Sequence, residues 1–256
     1  MKKRIVVLLI GGFLFTLSCQ FLFPTREGTI ISACADLVSA VNDIQPSDIP
    51  QSLRETGIKT GGEFDANGYF GVLTHVSMQD GFVLDYVYPI PDLGASPRLY
   101  ARPNGQPPYV SMDDIPENTE LPDFRDHLRI ENVEAGYFEY VLLDIMAGQF
   151  YLFWHSNYND TEIVCDREAV GSIIEDVNAG DFGRKIDLAQ QARARAMREV
   201  EPVVQFTGNS AAVEVIVFTK WGGFYRLTYT ISRTFPHEII DVKEENLVPY
   251  DCGVMF

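Results

Sequence analysis

One stretch of the chain gathers polar side chains of the kinds that bind ligands or transfer protons. It directly follows an aromatic segment and consists of His155, Ser156, Asn157, Tyr158, Asn159, Asp160 and Glu162. Oxygen donors that alternate along a loop can bind Ca²⁺, and a histidine near an aspartate can take part in acid–base catalysis. Ordinary turns have the same composition, and the spacing is not that of an EF-hand, so we predict no metal site.

The aromatic residues beside this loop offer a further kind of contact. Trp154 and Tyr158 could present rings to a sugar, with amide groups such as that of Asn157 as hydrogen-bonding partners. Aromatic residues in such runs are also common core residues. We therefore take Trp154, His155, Asn157, Tyr158 and Asp160 as candidate binding residues and assign no catalytic residue.

An enzymatic alternative uses part of the same loop. A hydrolase could combine His155 and Asp160 with a distant residue such as His75 or Asp85. A cleft that brings these four side chains within hydrogen-bonding reach would favour the enzyme, and scattered positions would favour a binding protein.

Motifs of the common enzyme classes are missing from the sequence. There is no nucleotide-binding glycine loop, no CxxC pair, no HExxH and no GxSxG. Lys59-Thr60-Gly61 matches one short motif of penicillin-binding proteins, but the two companion motifs are absent, so the match has no weight. His237-Glu238 lacks a second histidine one turn later, which removes the zinc interpretation. We predict no cofactor.

The elements that would position the loop begin with two runs rich in aromatic and β-branched residues, 137–145 and 149–155. Residues 146–148 end in a glycine and separate the runs, which predicts a β-hairpin. Both faces of each strand would be apolar. Such a hairpin belongs in the middle of a sheet that is covered on both sides.

Similar patterns predict two more hairpins, in residues 70–88 and 213–231, and a last strand in residues 238–248. Apolar residues at helical spacing predict helices in residues 30–44, 50–57, 167–177 and 186–200. The segment 89–122 contains more than half of the 14 Pro and is expected to form a long loop with one short strand at 98–101. We predict an α+β fold: a large antiparallel, meander-rich sheet built from three hairpins, with helices packed on it.

The first nineteen residues have the form of an export signal. Lys2, Lys3 and Arg4 precede an apolar run over residues 5–17 that is too short to span a bilayer as a helix. Residues 16–19 resemble a bacterial lipobox, in which the cysteine is lipidated and becomes the first mature residue. A conventionally cleaved or uncleaved signal is the alternative.

The resemblance to uncharacterised bacterial lipoproteins covers only this N-terminal segment and implies no activity. It implies a signal peptide in residues 1–18. We take residues 19–29 as a tether and residues 30–256 as a single α+β domain, which the proline-rich segment 89–122 could split into two subdomains. Lipidation of Cys19 would anchor the protein in the cell envelope, on the extracytoplasmic side of a bacterial membrane.

The charge of the chain limits its partners. There are 20 Lys and Arg against 36 Asp and Glu, and residues 1–18 hold three of the basic residues and no acidic one, so the rest carries 17 − 36 = −19. An acidic surface of this kind repels nucleic acid. The expected partners are the membrane, through the anchor, and an unidentified protein or small molecule.

Three cysteines remain if Cys19 is lipidated, so at most one intramolecular disulfide can form. Three pairings are possible. We favour Cys165 with Cys252, because each follows a strand-like run next to an aspartate, whereas Cys34 falls in a predicted helix.

These observations favour a non-catalytic extracytoplasmic binding or assembly module. The hydrolase around His155 and Asp160 is the first alternative. A purely structural envelope component is the second, and it would show neither a cleft nor an exposed aromatic patch.

Overall fold

The computed structural model describes residues 27–90, 92, 94–158, 161–181 and 183–254. Within these ranges the chain forms helices and antiparallel strands around one large sheet, which confirms the α+β class. Residues 1–18, Cys19 and most of the tether 19–29 lie outside the described residues. The division into signal, tether and folded part therefore stays a prediction.

Two helices of the described ranges begin at an aspartate that caps the helix N-terminus. Asp166 accepts a hydrogen bond from the backbone of Ala169 at the start of one helix, and Asp187 forms a capping box with Gln190 at the start of another. No helix of the described ranges is both long and apolar enough to cross a membrane. The helices are α1 (Cys34–Ile44), α2 (Gln51–Thr56), α3 (Tyr69–Val72), α4 (Glu134–Met146), α5 (Arg167–Ala179) and α6 (Leu188–Ala196).

The strands of the same ranges are β1 (Thr29–Ile30), β2 (Val76–Met78), β3 (Phe82–Val87), β4 (Gly94–Ala95), β5 (Arg98–Pro103), β6 (Leu128–Ile130), β7 (Phe153–Trp154), β8 (Thr161–Val164), β9 (Val203–Thr207), β10 (Ser210–Thr219), β11 (Gly223–Ser232) and β12 (Ile239–Pro249). β10 is the centre of the large sheet. β11 pairs with its whole length, whereas β9 pairs with its first half and β8 with its second half. β1 adds to β9 and β12 adds to β11.

Both faces of the large sheet are covered. Successive side chains of β10 point to opposite faces of the sheet, and apolar side chains lie on both. Val213 and Val215 join the larger core, which contains α4 and α1. Ile216 and Phe218 point to the other face and pack with residues of α5 and α6. The hairpin predicted in residues 213–231 and the last strand are confirmed by β10, β11 and β12.

The hairpin predicted in residues 137–155 is wrong. Residues 134–146 form the helix α4, and nine of its 13 residues are buried. A helix that is surrounded by protein is apolar on every face, so its sequence shows neither a polar stripe nor a clear 3.6-residue period. The apolar run therefore resembled a doubly buried strand, and only β7 remains of the second predicted strand.

The hairpin predicted in residues 70–88 is also wrong, although its strands exist. β2 pairs with β6, and β3 pairs with β5. The predicted first strand begins at residue 70, but residues 69–72 form the short helix α3. Alternation of apolar residues identifies a strand but does not identify its partner. The large sheet is an antiparallel meander over β9–β12, as predicted, but it is not built from three hairpins.

The predicted disulfide between Cys165 and Cys252 is wrong. Cys34 and Cys165 are bonded, with a Cα–Cα distance of 5.5 Å, and Cys252 is free and buried. Cys34 and Cys165 belong to the core on the α4 side of the large sheet, whereas Cys252 belongs to the core on the α5 side. Cys165 and Cys252, which the sequence analysis paired, therefore lie on opposite sides of the large sheet.

Candidate functional site

The predicted binding loop lies at the end of β7. Trp154 is 54% exposed and has a left-handed backbone, with φ of 43°. Its ring meets the ring of His155 edge-on, with 4.1 Å between centroids, and residues 155–158 form a 3₁₀ helix. Asp160 and the side chains of Asn157 and Tyr158 lie outside the described residues. Of the five candidates, the structure therefore brings together Trp154 and His155, and the other three stay predictions.

The distant residues of the enzymatic alternative have different partners. The ring Nδ1 of His75 lies 2.6 Å from the buried carboxylate of Glu139 on α4, which also accepts the His75 backbone N–H. The Asp85 carboxylate instead contacts Lys59 and Arg102. His75 and Asp85 thus belong to separate clusters.

Asp85 lies at a cavity of about 490 Å³, which we call the Lys59–Arg102 cavity. Antiparallel pairing of β3 with β5 places Asp85 opposite Tyr100, so that Arg102, two residues further, is its diagonal neighbour on the same face. The lining consists of residues 59–61, 63–67, 84–86, 102, 108 and 110.

The segment that forms one wall of the cavity is fixed to β3 by a side chain. Asn67 exchanges two hydrogen bonds with the backbone of Leu84, one donated by Nδ2 over 3.0 Å and one accepted by Oδ1 over 2.9 Å. The Lys59 backbone N–H donates to the Val110 carbonyl, 2.8 Å away, and so joins this wall to the proline-rich loop. Hydrogen bonds between three segments of the chain therefore hold the walls of the cavity together.

A largely buried ion cluster forms part of the lining. The Asp85 carboxylate accepts from Lys59 Nζ at 2.7 Å, from Arg102 Nε at 2.6 Å and from the backbone N–H of Tyr86 at 2.8 Å. Lys59 also donates to the Tyr86 carbonyl at 2.6 Å, and Arg102 Nη1 donates to the carbonyl of Gln106. Two cations against one carboxylate leave a net positive charge.

Two further carboxylates line the same cavity. Burial raises the pKa of Glu63, but hydrogen bonds from the Thr60 N–H and hydroxyl and from the Gly61 N–H outweigh burial and lower that pKa to about 2. Glu63 is therefore ionised at neutral pH. Asp65 accepts from the backbone and side-chain amides of Asn67.

Tyr86 completes the cavity with a hydroxyl that has no hydrogen-bond partner among the described residues. The side chain is only 2% exposed, and the Lys59 ammonium lies 4.7 Å from its ring centroid. Burial raises the pKa of Tyr86, and Tyr151, Glu63, Asp85 and Asp65 raise it further, so the hydroxyl stays protonated. A buried hydroxyl without a partner costs roughly 1 to 3 kcal/mol, which makes it a natural contact for a ligand.

We predict that Tyr86→Phe leaves the free energy of unfolding unchanged or raises it by up to about 1 kcal/mol, because the substitution removes an unpaired polar group. The matched control is Tyr69→Phe. The buried Tyr69 hydroxyl donates to the Ala147 carbonyl at 3.0 Å and accepts from Gln45 at 2.8 Å, so its loss should cost about 1 to 2 kcal/mol. Urea unfolding of both variants checks this, and equal losses would show that the Tyr86 hydroxyl is paired.

A second, acidic cavity of about 640 Å³ lies beside α4 and β12. Burial raises the pKa of Asp144 in its wall, although Arg125 and the Tyr229 hydroxyl, each 3.2 Å away, oppose the shift. Within the described part of the chain, no group of three His, Cys, Asp or Glu side chains could hold a metal ion. This cavity therefore offers negative charge without a defined ligand geometry.

Of the residues in the ion cluster, sequence reasoning named Asp85, in a different role, and Lys59, only as part of a three-residue motif match. The Lys59-Thr60-Gly61 segment was noticed as a motif match without companions, and it lies in the cavity wall. The remaining signal was weak, because a Lys, an Arg and a Tyr on separate segments do not indicate a shared site until the strand pairing is known.

Comparison of the chain with known protein families, with curated proteins and with solved structures finds no match. The fold and the site define the molecule as an α+β protein with a charged, ligand-sized cavity.

Proposed function

We propose that the protein is a non-catalytic binding module, held on the extracytoplasmic side of a bacterial membrane by a lipid on Cys19. The N-terminal signal and the lipobox-like residues 16–19 support the anchor. The disulfide between Cys34 and Cys165 supports an oxidising compartment, since such bonds are rare in the cytosol.

The observation that carries the binding function is the Lys59–Arg102 cavity with its unpaired Tyr86 hydroxyl. Its volume falls in the range of small-molecule sites, and its polar groups are fixed in place before any ligand arrives. Fixed groups lower the entropy cost of binding. The cavity and the exposed Trp154 also favour a binding role over a purely structural one.

The chemistry of the cavity favours binding over catalysis. Of the described residues that line it, none is serine, cysteine or histidine, and the Thr60 hydroxyl already donates to Glu63. The Asp85 carboxylate accepts three hydrogen bonds and is paired with two cations. A general base must be free to accept a proton from its substrate, and the Asp85 carboxylate is not, so Asp85 does not fit the role that the hydrolase alternative gives it.

The anchor is tested by the intact mass of the protein purified from bacterial membranes. We expect a chain that begins at Cys19 and carries the added mass of acyl groups, and we expect Cys19→Ser to release the protein from the membrane fraction. An unprocessed chain that starts at Met1 would overturn the lipid anchor.

Binding is tested by titrating the ¹⁵N-labelled protein with L-alanine, D-glucose and inorganic phosphate while amide shifts are recorded by NMR. We expect at least one probe to shift the amides of residues 59–67, and Tyr86→Phe to weaken that binding at least threefold, whereas Tyr69→Phe leaves it unchanged. No shift at millimolar concentration, or shifts confined to the loop around Trp154, would overturn the cavity as the binding site.

A further inference from the structure

We infer that the Lys59–Arg102 cavity takes a small zwitterion of the free amino acid type, with its carboxylate at Arg102 and its ammonium at Asp65. The inference rests on the proposed binding function and adds the class of ligand. It follows from the separation of charge within the lining, from the unused hydrogen-bonding positions, and from the buried hydroxyl.

The positive side of the cavity is the ion cluster. Asp85 neutralises only one of the two cations, Lys59 and Arg102, so a net positive charge remains. Arg102 uses Nε and Nη1 for Asp85 and the carbonyl of Gln106, and its Nη2 has no partner among the described residues. Guanidinium N–H groups are strong donors to carboxylates, and a partly buried site strengthens the contact.

The negative side is formed by Glu63 and Asp65. Both carboxylates lie in the wall formed by residues 59–67, which also contains Lys59, whereas Arg102 lies on β5. The Asp65 Oδ1 accepts both hydrogen bonds from Asn67, and no described residue donates to its Oδ2. Asp65 is exposed, so an incoming ammonium group can reach this oxygen.

Tyr86 lines the same cavity and carries the buried hydroxyl without a hydrogen-bond partner among the described residues. The Tyr86 hydroxyl is close enough to Glu63, Asp85 and Asp65 for each of these carboxylates to raise its pKa, although burial is the larger cause. A protonated hydroxyl at this position can donate to a ligand carboxylate or accept from a ligand ammonium.

The arrangement discriminates between ligands by charge. An anion gains at Arg102 but is repelled by Glu63 and Asp65, and a cation gains at Asp65 but is repelled by Lys59 and Arg102. A neutral molecule gains from neither charge. A zwitterion gains from both, and the cavity of about 490 Å³ has room for an amino acid with a side chain.

The inference is tested by calorimetric titration with four ligands on one scaffold: L-alanine, N-acetyl-L-alanine, L-alaninamide and N-acetyl-L-alaninamide. L-alanine carries both charges, N-acetyl-L-alanine only the negative charge, L-alaninamide only the positive charge, and N-acetyl-L-alaninamide no charge. We expect L-alanine to bind at least tenfold more tightly than each of the other three.

Two variants separate the contributions of the two sides. Arg102→Gln should abolish the preference for L-alanine over L-alaninamide, and Asp65→Asn, which keeps an oxygen for the Asn67 contacts, should abolish the preference over N-acetyl-L-alanine. Asp80→Asn, at an exposed turn outside the cavity lining, is the control and should change neither preference. Circular dichroism verifies that each variant is folded.

The outcomes distinguish the inference from the function on which it rests. Equal affinity for the four ligands, or tighter binding of a singly charged one, overturns the zwitterion and leaves a binding cavity in place. The same holds if only D-glucose or phosphate shifts the cavity amides. If no probe shifts these amides, the proposed function and the inference both fail.

Discussion

Replacing Cys34 and Cys165 together by alanine is expected to lower the free energy of unfolding by about 3 to 5 kcal/mol. The bond joins residues 131 positions apart, and in the chain-entropy model a crosslink over such a loop restricts the unfolded chain by about 5 kcal/mol. The bond also ties α1 to the residue that follows β8, so its loss should loosen the N-terminal helix. Urea unfolding followed by circular dichroism measures the difference.

Cys252→Ala provides the control for this prediction. Cys252 is buried and free, so the substitution removes only a small apolar group and should cost about 1 kcal/mol while the disulfide stays intact. Peptide mapping without reduction should recover a crosslinked peptide that contains Cys34 and Cys165 from both the wild type and this variant. A crosslink that includes Cys252, or that disappears in Cys252→Ala, would contradict the pairing.

The C-terminal half of the fold could be predicted because its information is local. Residues 211–215 of β10 alternate between buried and partly buried, residues 226–232 of β11 alternate between polar and apolar, and a short turn before Gly223, whose φ is 90°, connects the strands. Helices α1 and α5 each keep one apolar face, since only one side of each packs on the core. In these segments the pattern of the sequence reports directly on which side is buried.

The rest of the fold depends on contacts between distant segments. β2 pairs with β6, which lies some 50 residues further along the chain, and not with the neighbouring β3. The sequence of β2 shows the same alternation of apolar residues whichever partner it has, so the sequence alone does not identify the partner. The cysteine pairing failed for a similar reason, because it depends on which face of the sheet each cysteine occupies. Sequence position gave no information on that for Cys252.

The candidate site was missed because its chemistry is assembled from separate segments. Lys59 lies 26 residues before Asp85, and Arg102 lies 17 residues after it. Each of these residue types is common on a surface, so none of them stands out in the sequence. The dense polar loop around His155 was more conspicuous, but composition alone does not distinguish a binding loop from an ordinary turn.

Gly136→Ala is expected to destabilise the protein by about 1 to 3 kcal/mol, although alanine is the better helix former. Gly136 lies in the first turn of α4, and a Cβ there would approach the Glu131 carbonyl oxygen to 2.5 Å and Ile130 Cγ2 to 3.0 Å. The backbone cannot easily move away, because the Glu131 N–H is bonded to the His75 carbonyl at 2.8 Å. Thermal and urea unfolding measure the loss.

Gly171→Ala in α5 makes the same chemical change where there is space. A Cβ at Gly171 would meet no atom within 4 Å, so this variant should gain about 0.5 to 1 kcal/mol from helix propensity alone. The two substitutions are expected to change the free energy of unfolding in opposite directions, because the first turn of α4 lies close to residues 130–131, whereas α5 has open space at Gly171. If residues 137–145 formed a strand, Gly136 would only precede it, and alanine there would have little effect. A stabilised or unchanged Gly136→Ala variant would therefore contradict the buried helix around which both the larger core and the His75–Glu139 pair are built.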